Sequence, residues 1–186
     1  MLNSISAAAG RLLISEPFMM DPNFKRSVIL LTEYSVDGAM GFVLNHQSDY
    51  LLGDILPDVS YSELPVYEGG PVAKNTLHFI HRCPEKISGG IEIWDNVYWG
   101  GDFEEVKELI NNYQLNDNEI KFFTGYSGWT QGQLDDELVE DTWIVANSFQ
   151  ADMLFNNDQN LWREVVKSLG NRYAHIANFP ENPSLN

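Results

Sequence analysis

The chain has 186 residues, 44% of them hydrophobic and 12% aromatic, and carries a formal charge of −16 from 27 acidic and 11 basic side chains. That length and apolar content suit one folded domain, read as residues 1–186. The charge argues against a duplex-binding face, which needs clustered Lys and Arg, and no apolar run approaches the roughly 18–20 residues of a membrane-spanning helix.

Ala7, Ala8 and Ala9 would suit a signal-peptide cleavage site, but neither a basic segment nor an apolar stretch precedes them, so a cytoplasmic protein is expected. Residues 11–15 form a short apolar strand that Glu16-Pro17 ends, because proline steers the residue before it away from helix. Asp21-Pro22-Asn23 signals a turn. Residues 27–33 are β-branched and apolar and predict a buried strand; Asp37-Gly38 reads as a hairpin turn and 40–45 as the returning strand. One or two helical turns are expected over 51–56, stopped by Pro57. A short strand over 65–67 runs into Gly69-Gly70-Pro71, and another follows over 76–82. On that strand His78 and His81 face opposite ways, whereas His81 and Cys83 share a face. Residues 91–94 and 97–99 flank Asp95-Asn96, a two-residue hairpin turn in which Asn tolerates the left-handed conformation.

The second half adds helices. Asp102 is placed to cap a helix over 103–112, with Glu104 and Glu105 in its first turn and Val106, Leu109, Ile110 and Tyr113 at helical spacing. A strand is expected over 119–124. Residues 124–134, Thr-Gly-Tyr-Ser-Gly-Trp-Thr-Gln-Gly-Gln-Leu, interleave glycines with two large aromatics and read as a sharply shaped turn packed into the core. Thr130 then caps a helix carrying Leu134 and Leu138, with Gln133 completing a capping box. A strand over 142–146, a helix over 159–169 capped by Asp158 and ended by Gly170, and a proline-punctuated tail complete the chain. Strands come first and helices then alternate with single strands. That order predicts an α+β fold around a curved antiparallel or mixed sheet, not a βαβ wind.

No catalytic set stands out. Gly125-Tyr126-Ser127-Gly128-Trp129 misses the nucleophile elbow, which needs glycine where Trp129 stands. Ser127 and Cys83 are the candidate nucleophiles of an alternative hydrolase reading, and a lone cysteine cannot form an internal disulfide. Gly69-Gly70-Pro71 lacks the ending of a phosphate loop, and His46, His78, His81 and His175 lack zinc spacing, so no cofactor or metal is expected. Lys74, Arg82 and Lys86, with His78 and His81, form a cluster too sparse to argue for DNA. The polar residues at glycine- or proline-shaped turns, Asp21, Asn23, Arg26, Asp102, Ser127, Gln131 and Gln133, make up the candidate binding surface.

Several segments together resemble the YqgE/AlgH family. They are Gly-Arg-Leu-Leu-Ile-Ser-Glu-Pro at 10–17, Met-Asp-Pro-Asn-Phe-Lys-Arg-Ser-Val-Ile-Leu-Leu at 20–31, Gly-Ala-Met-Gly-Phe-Val-Leu-Asn at 38–45 and Val-Tyr-Glu-Gly-Gly-Pro-Val at 66–72. Residues 98–104, 125–134, Trp143-Ile144-Val145 and Leu161-Trp162 extend the resemblance over nearly the whole chain. It implies a bifurcated, mainly antiparallel sheet forming a pseudo-barrel flanked by helices. Members carry the label of transcriptional regulators, and no family catalytic residue is implied. The expected function is therefore a regulatory or binding protein working through a protein partner or a small ligand, with no direct contact to nucleic acid or membrane.

Overall fold

The computed structural model describes residues 5–59, 61–157 and 160–180, Arg172 through its backbone alone. In chain order the elements are β1 (Leu12–Ser15), β2 (Val28–Ser35), β3 (Gly38–Val43), β4 (Gln47–Leu51), α1 (Leu52–Ile55), β5 (Pro65–Glu68), β6 (Val72–His81), β7 (Ile91–Trp94) and β8 (Val97–Trp99). There follow α2 (Phe103–Asn111), β9 (Ile120–Thr130), α3 (Gln133–Val139), β10 (Trp143–Ala146), α4 (Ala151–Phe155), α5 (Leu161–Ser168) and α6 (Asn171–Ala174). The main path of the sheet is β10-β1-β2-β3-β9-β6-β8-β7; β5 joins it at β9, and β4 joins β5. Among the described pairings only β5 with β9 is parallel.

The strands at the centre are apolar in unbroken runs because both their faces are covered. Leu12 and Ile14 of β1 pack with Leu30, Phe42 and Phe123 beneath α5, whose Leu161, Trp162, Val165 and Val166 close that cluster. Leu13 turns the other way and packs with Ile29, Leu31, Val43, Trp129 and Trp143 beneath Leu134 of α3. A third cluster sets Leu52 of α1 and Val106 and Ile110 of α2 against Val66, Phe79 and Phe122. Glu137 of α3 accepts both the Trp129 and the Trp143 indole N–H, at 2.9 and 2.7 Å, and so clamps α3 to the sheet.

The path curls until its ends approach without pairing. Trp94 of β7 packs at a tilt against Phe149, just beyond β10, with ring centroids 4.2 Å apart. Gly10, just before β1, lies so close to β7 that a Cβ there would run into the Ile93 carbonyl. The fold is thus α+β, with a bifurcated sheet whose ladder stays open.

The sheet splits at β9. Its residues 122–124 pair with β5 and residues 127–130 with β3, on one side, while β6 runs along the other. β5 and β6 are joined by Gly69-Gly70-Pro71 alone. β9 therefore threads between the two arms of a hairpin, holding them about 10 Å apart, twice the usual strand spacing. The connection has to cross the face of β9, and it does so backbone on backbone. A Cβ on Gly70 would run into the Tyr126 carbonyl and the Ser127 nitrogen; one on Gly125 would lie 2.7 Å from the carbonyl oxygens of both Gly70 and Val72. Gly125 also has φ +65, a left-handed conformation.

This crossing corrects the sequence reading of 124–134. The segment is a strand through Thr130, with Gly125 beneath the backbone that crosses it and Gly128 against the Tyr126 ring, and the turn is confined to Gln131 and Gly132. α3 accordingly begins at Gln133, with Gly132 at its N-cap, and only half of the expected capping box forms, Gln133 Oε1 accepting the Thr130 N–H at 3.1 Å. The strand β4 and the short helices α4 and α6 are additions to the predicted elements. The helix expected over 159–169 is Leu161–Ser168, and the Asp158 cap lies outside the described residues. Asp95 and Asn96 both have positive φ, +38 and +61, as a tight two-residue hairpin turn requires.

Two glycines with nearly equal φ separate clash from backbone strain. A methyl group on Gly100, at φ +69, would meet nothing within 4 Å, so Gly100→Ala should lose about 1–2 kcal/mol. Gly125→Ala should lose a further ~1–3 kcal/mol from overpacking against the crossing chain. Urea unfolding of the two variants checks this, and equal losses would mean that the crossing is not tight.

Candidate functional site

Where the sheet splits, β6 has to accommodate the crossing and carries extra residues. Val72 faces Tyr126 and Leu77 faces Thr124, so Ala73, Lys74, Asn75 and Thr76 stand where β9 offers only Gly125. The excess is extruded as a bulge with Ala73 at φ +46. The bulge is braced from within: the Thr76 hydroxyl donates to the Ala73 carbonyl at 2.7 Å and lies 2.9 Å from His78 Nε2. With its own proton used, that hydroxyl accepts, which assigns the His78 proton to Nε2. Burial holds the His78 pKa below its ordinary value, so the ring is neutral at pH 7, and it packs at a tilt against Phe42 with ring centroids 5.2 Å apart.

Between this bulge and the β4–β5 arm lies a cavity of about 370 Å³. Ile55, Leu77 and the ring of Tyr50 give it apolar walls; Lys74, Asn75 and Glu68 bring polar groups to it. Ser48 and Asp54, also on its wall, are committed to the scaffold, donating to the Val66 carbonyl at 2.8 Å and accepting the Leu51 N–H at 2.8 Å. Lys74 and Glu68 form no ion pair among the described residues.

The residues singled out from sequence are placed elsewhere. Asp21 Oδ1 accepts from the Asn23 backbone and side-chain amides, both at 2.9 Å, in the turn before β2. Arg26 donates to the Phe179 carbonyl at 2.6 Å, and its guanidinium lies 4.2 Å over the Trp162 ring, fastening the C-terminal segment to the sheet. Asp102 caps α2 through the Glu104 and Glu105 amides. Gln131 is exposed in the turn after β9, and Gln133 links Thr130 to Glu137. Asp21 and Asn23 touch one another, and none of the seven lines the cavity.

The two candidate nucleophiles are locked. Ser127 is fully buried inside β9, and its hydroxyl donates at 3.0 Å to the Gly69 carbonyl, which also accepts the Val43 N–H at 2.9 Å. It thus joins the strands at the split, in a position without the strand–turn–helix geometry of an elbow. Cys83 is buried with Sγ 3.8 Å from His81 Nδ1. Burial pushes its thiol up to about 11, assisted by Glu119 and Glu85, and burial holds His81 below its ordinary value. This is a neutral thiol beside a neutral imidazole, the reverse of an activated pair. Among the described residues no group of His, Cys, Asp and Glu is placed to hold a metal ion, and no helix is long and apolar enough to cross a membrane.

One buried ionisable group escaped the sequence reading. Lys121 of β9, 2% exposed, donates to the Leu154 and Asn156 carbonyls at 3.2 and 3.0 Å, holding the end of α4, and its ammonium lies 4.0 Å over the Tyr67 ring. Burial brings its pKa down to about 7, opposed by Asp117. A lysine inside the run Ile-Lys-Phe-Phe was the available signal. For Lys74 and Glu68 the signal was weaker, since a bulge leaves no mark in periodicity.

The fold and site define a class: an α+β protein with a split, curled sheet and a preformed polar cleft, without an activated nucleophile among the described residues. Comparison with known proteins narrows this to one family. The AlgH-like family model matches residues 12–174, and the chain belongs to that family. It is 40% identical over 177 residues to a UPF0301 protein of Chlorobium limicola, covering 95% of each chain. It is 38% identical over 185 residues to one of Bacteroides thetaiotaomicron, covering 99% of this chain and 94% of that protein. A crystal structure of a Corynebacterium diphtheriae protein shares the fold with a TM-score of 0.77 at 22% identity over 94% of both chains. The solution structure of the AlgH protein from Pseudomonas aeruginosa does so with a TM-score of 0.70 at 24% identity, covering 95% of this chain and 97% of that one.

Two measurements check this chemistry. Native protein should take no label from a fluorophosphonate probe and almost none from iodoacetamide at pH 8, with rapid alkylation of Cys83 only after unfolding. The depressed Lys121 pKa makes the unfolded chain bind more protons than the folded one between pH 7 and 10.5, so this group's contribution to stability rises with pH there. Above pH 9 the raised Cys83 thiol works in the opposite sense, and the lowered histidines act only below pH 6.5. Urea unfolding should therefore show a gain of about 2 kcal/mol from pH 7 to 9, absent in Lys121→Met.

Proposed function

We propose that this chain is a non-catalytic, cytoplasmic regulatory protein that binds a small zwitterionic ligand in the cavity beside the split of the sheet. The observation that carries this reading is the pairing of a cation, Lys74, with an anion, Glu68, on the walls of one 370 Å³ cavity, neither of them in an ion pair among the described residues. Ligand sites of about 300–1,000 Å³ combine apolar walls with a few placed polar groups, as Ile55, Leu77 and Tyr50 do here with Lys74, Asn75 and Glu68. Lys74 faces the ligand's carboxylate and Glu68 its ammonium. The braced bulge that carries Lys74 keeps the ordering needed on binding small.

Hydrolysis at Ser127 or Cys83 finds no favouring observation, since the hydroxyl is committed to Gly69 and the thiol is held neutral. The family's regulator label fits a ligand-responsive protein acting through other proteins better than direct DNA contact, because a net charge of −16 repels phosphate.

Thermal melting of the wild-type chain with each free amino acid at millimolar concentration tests the reading, with acetate and ethylamine as singly charged controls. At least one zwitterion should raise Tm by roughly 5–10 °C when present at a hundredfold excess over its Kd. That shift should vanish in Lys74→Ala and in Glu68→Ala, both of which keep the unliganded Tm. No shift with any zwitterion, or a shift that survives both substitutions, contradicts the reading.

A further inference from the structure

A second cleft, of about 580 Å³, opens between the C-terminal end of α2 and residues 61–65. Its floor is apolar, from Leu64, Pro65, Ile110 and Leu115. Its rim carries two tyrosines that stand almost wholly in solvent, Tyr61 at 88% and Tyr113 at 86% exposure. Its charged lining is negative only, Glu63 and Asp117, and no lysine, arginine or histidine lines it.

Tyr113 follows the C-cap Asn112 of α2 and holds φ +56. That is the position where a helix normally ends in glycine, and a bulky aromatic there is strained. It gains no burial in the isolated chain in return. Asp117, by contrast, is held firmly: its carboxylate accepts from Asn157 Nδ2 at 2.7 Å, and Asn157 Oδ1 in turn accepts from the Tyr67 hydroxyl. The carbonyl end of α2, the negative pole of its dipole, opens on the same side. The charged groups at the cleft therefore favour a cation, and its apolar floor favours an aliphatic or proline-like neighbour.

We infer that this cleft docks an extended, arginine-bearing segment of a partner protein, its guanidinium set between the Tyr61 and Tyr113 rings with Asp117 and Glu63 as counter-charges. Charge complementarity selects the occupant: acidic lining on a strongly acidic chain, with aromatic faces that attract guanidinium. The projecting tyrosines select a chain over a small cation. A small cation on the floor would leave both rings in water, whereas a peptide passing between them covers both, and Tyr paired with Arg is the characteristic anchor of protein interfaces.

The test is an amide NMR titration at physiological salt with a synthetic Arg-Pro-Pro-Arg-Pro-Pro-Arg peptide. Controls are the same peptide with Glu in place of Arg, and arginine methyl ester. The basic peptide should shift resonances of residues 61–65 and 110–117, with the acidic peptide silent and the ester at least tenfold weaker. Tyr113→Gly removes the ring while relieving the backbone, so it should fold at least as stably and bind at least fivefold more weakly; Glu63→Lys should weaken binding similarly. The inference is overturned if the basic peptide causes no shift, or if shifts spread over the acidic α3 face as general charge attraction. Ester binding as tight as peptide binding, or peptide affinity unchanged in Tyr113→Gly, overturns it equally.

Discussion

The passage of Gly69-Gly70-Pro71 across the face of β9 is the constraint on which the rest of the structure depends. A hairpin whose arms are held apart by an inserted strand has to cross that strand somewhere, and backbone can lie directly on backbone only where both chains lack side chains. Gly70 over Tyr126 and Ser127, and Gly125 beneath Gly70 and Val72, meet that condition. From the crossing follow the split of the sheet into the β3 and β5 arms, the Ser127 hydrogen bond that seals the split, and the four-residue bulge of β6. The cavity proposed as the ligand site lies between that bulge and the β5 arm, so its place is a consequence of the topology.

The polar groups inside the core serve the same architecture. Glu137 gathers two indole N–H groups and fastens α3, Arg26 fastens the C-terminal segment, and Lys121 closes the end of α4 with two carbonyls. Arg26 and Lys121 donate to backbone carbonyls of the C-terminal segments, Glu137 accepts two indole N–H groups, and each is held by several partners, as a charge taken from water must be. The proposed binding surfaces lie instead at the two clefts, one with Lys74 and Glu68 on its walls and the other with Glu63 and Asp117.

Much of the fold was legible in the sequence because local rules governed it. The Val-Ile-Leu-Leu run of β2, the Asp95-Asn96 turn, the Asp102 cap and the periodicity of α2 each follow from neighbouring residues. The family resemblance carried the bifurcated sheet. What was not legible depends on distant chain. Gly125 read as part of a turn because glycine marks positive φ and close approach alike, and only the three-dimensional path of residues 69–71 reveals the close approach. β4 is mostly exposed and carries no apolar pattern, and α4 is too short for a helical period to show. The candidate cleft was missed for a related reason: Lys74 and Glu68 are ordinary surface charges in the sequence, and they become a pair only because β9 separates the strands that bear them.

The most direct test of the crossing is native-state hydrogen exchange. The Val43 amide bonds to the Gly69 carbonyl, the Gly69 amide to the Thr124 carbonyl and the Leu31 amide to the Arg11 carbonyl, so these three report the crossing and the central sheet together. If the crossing locks both arms into one cooperative unit, all three should exchange only through global unfolding, with the same opening free energy and the same denaturant dependence. If Val43 and Gly69 exchange through a smaller, separate opening while Leu31 does not, the β4–β5 arm can detach from β9, and the split is not the constraint that holds the fold and its cleft in place.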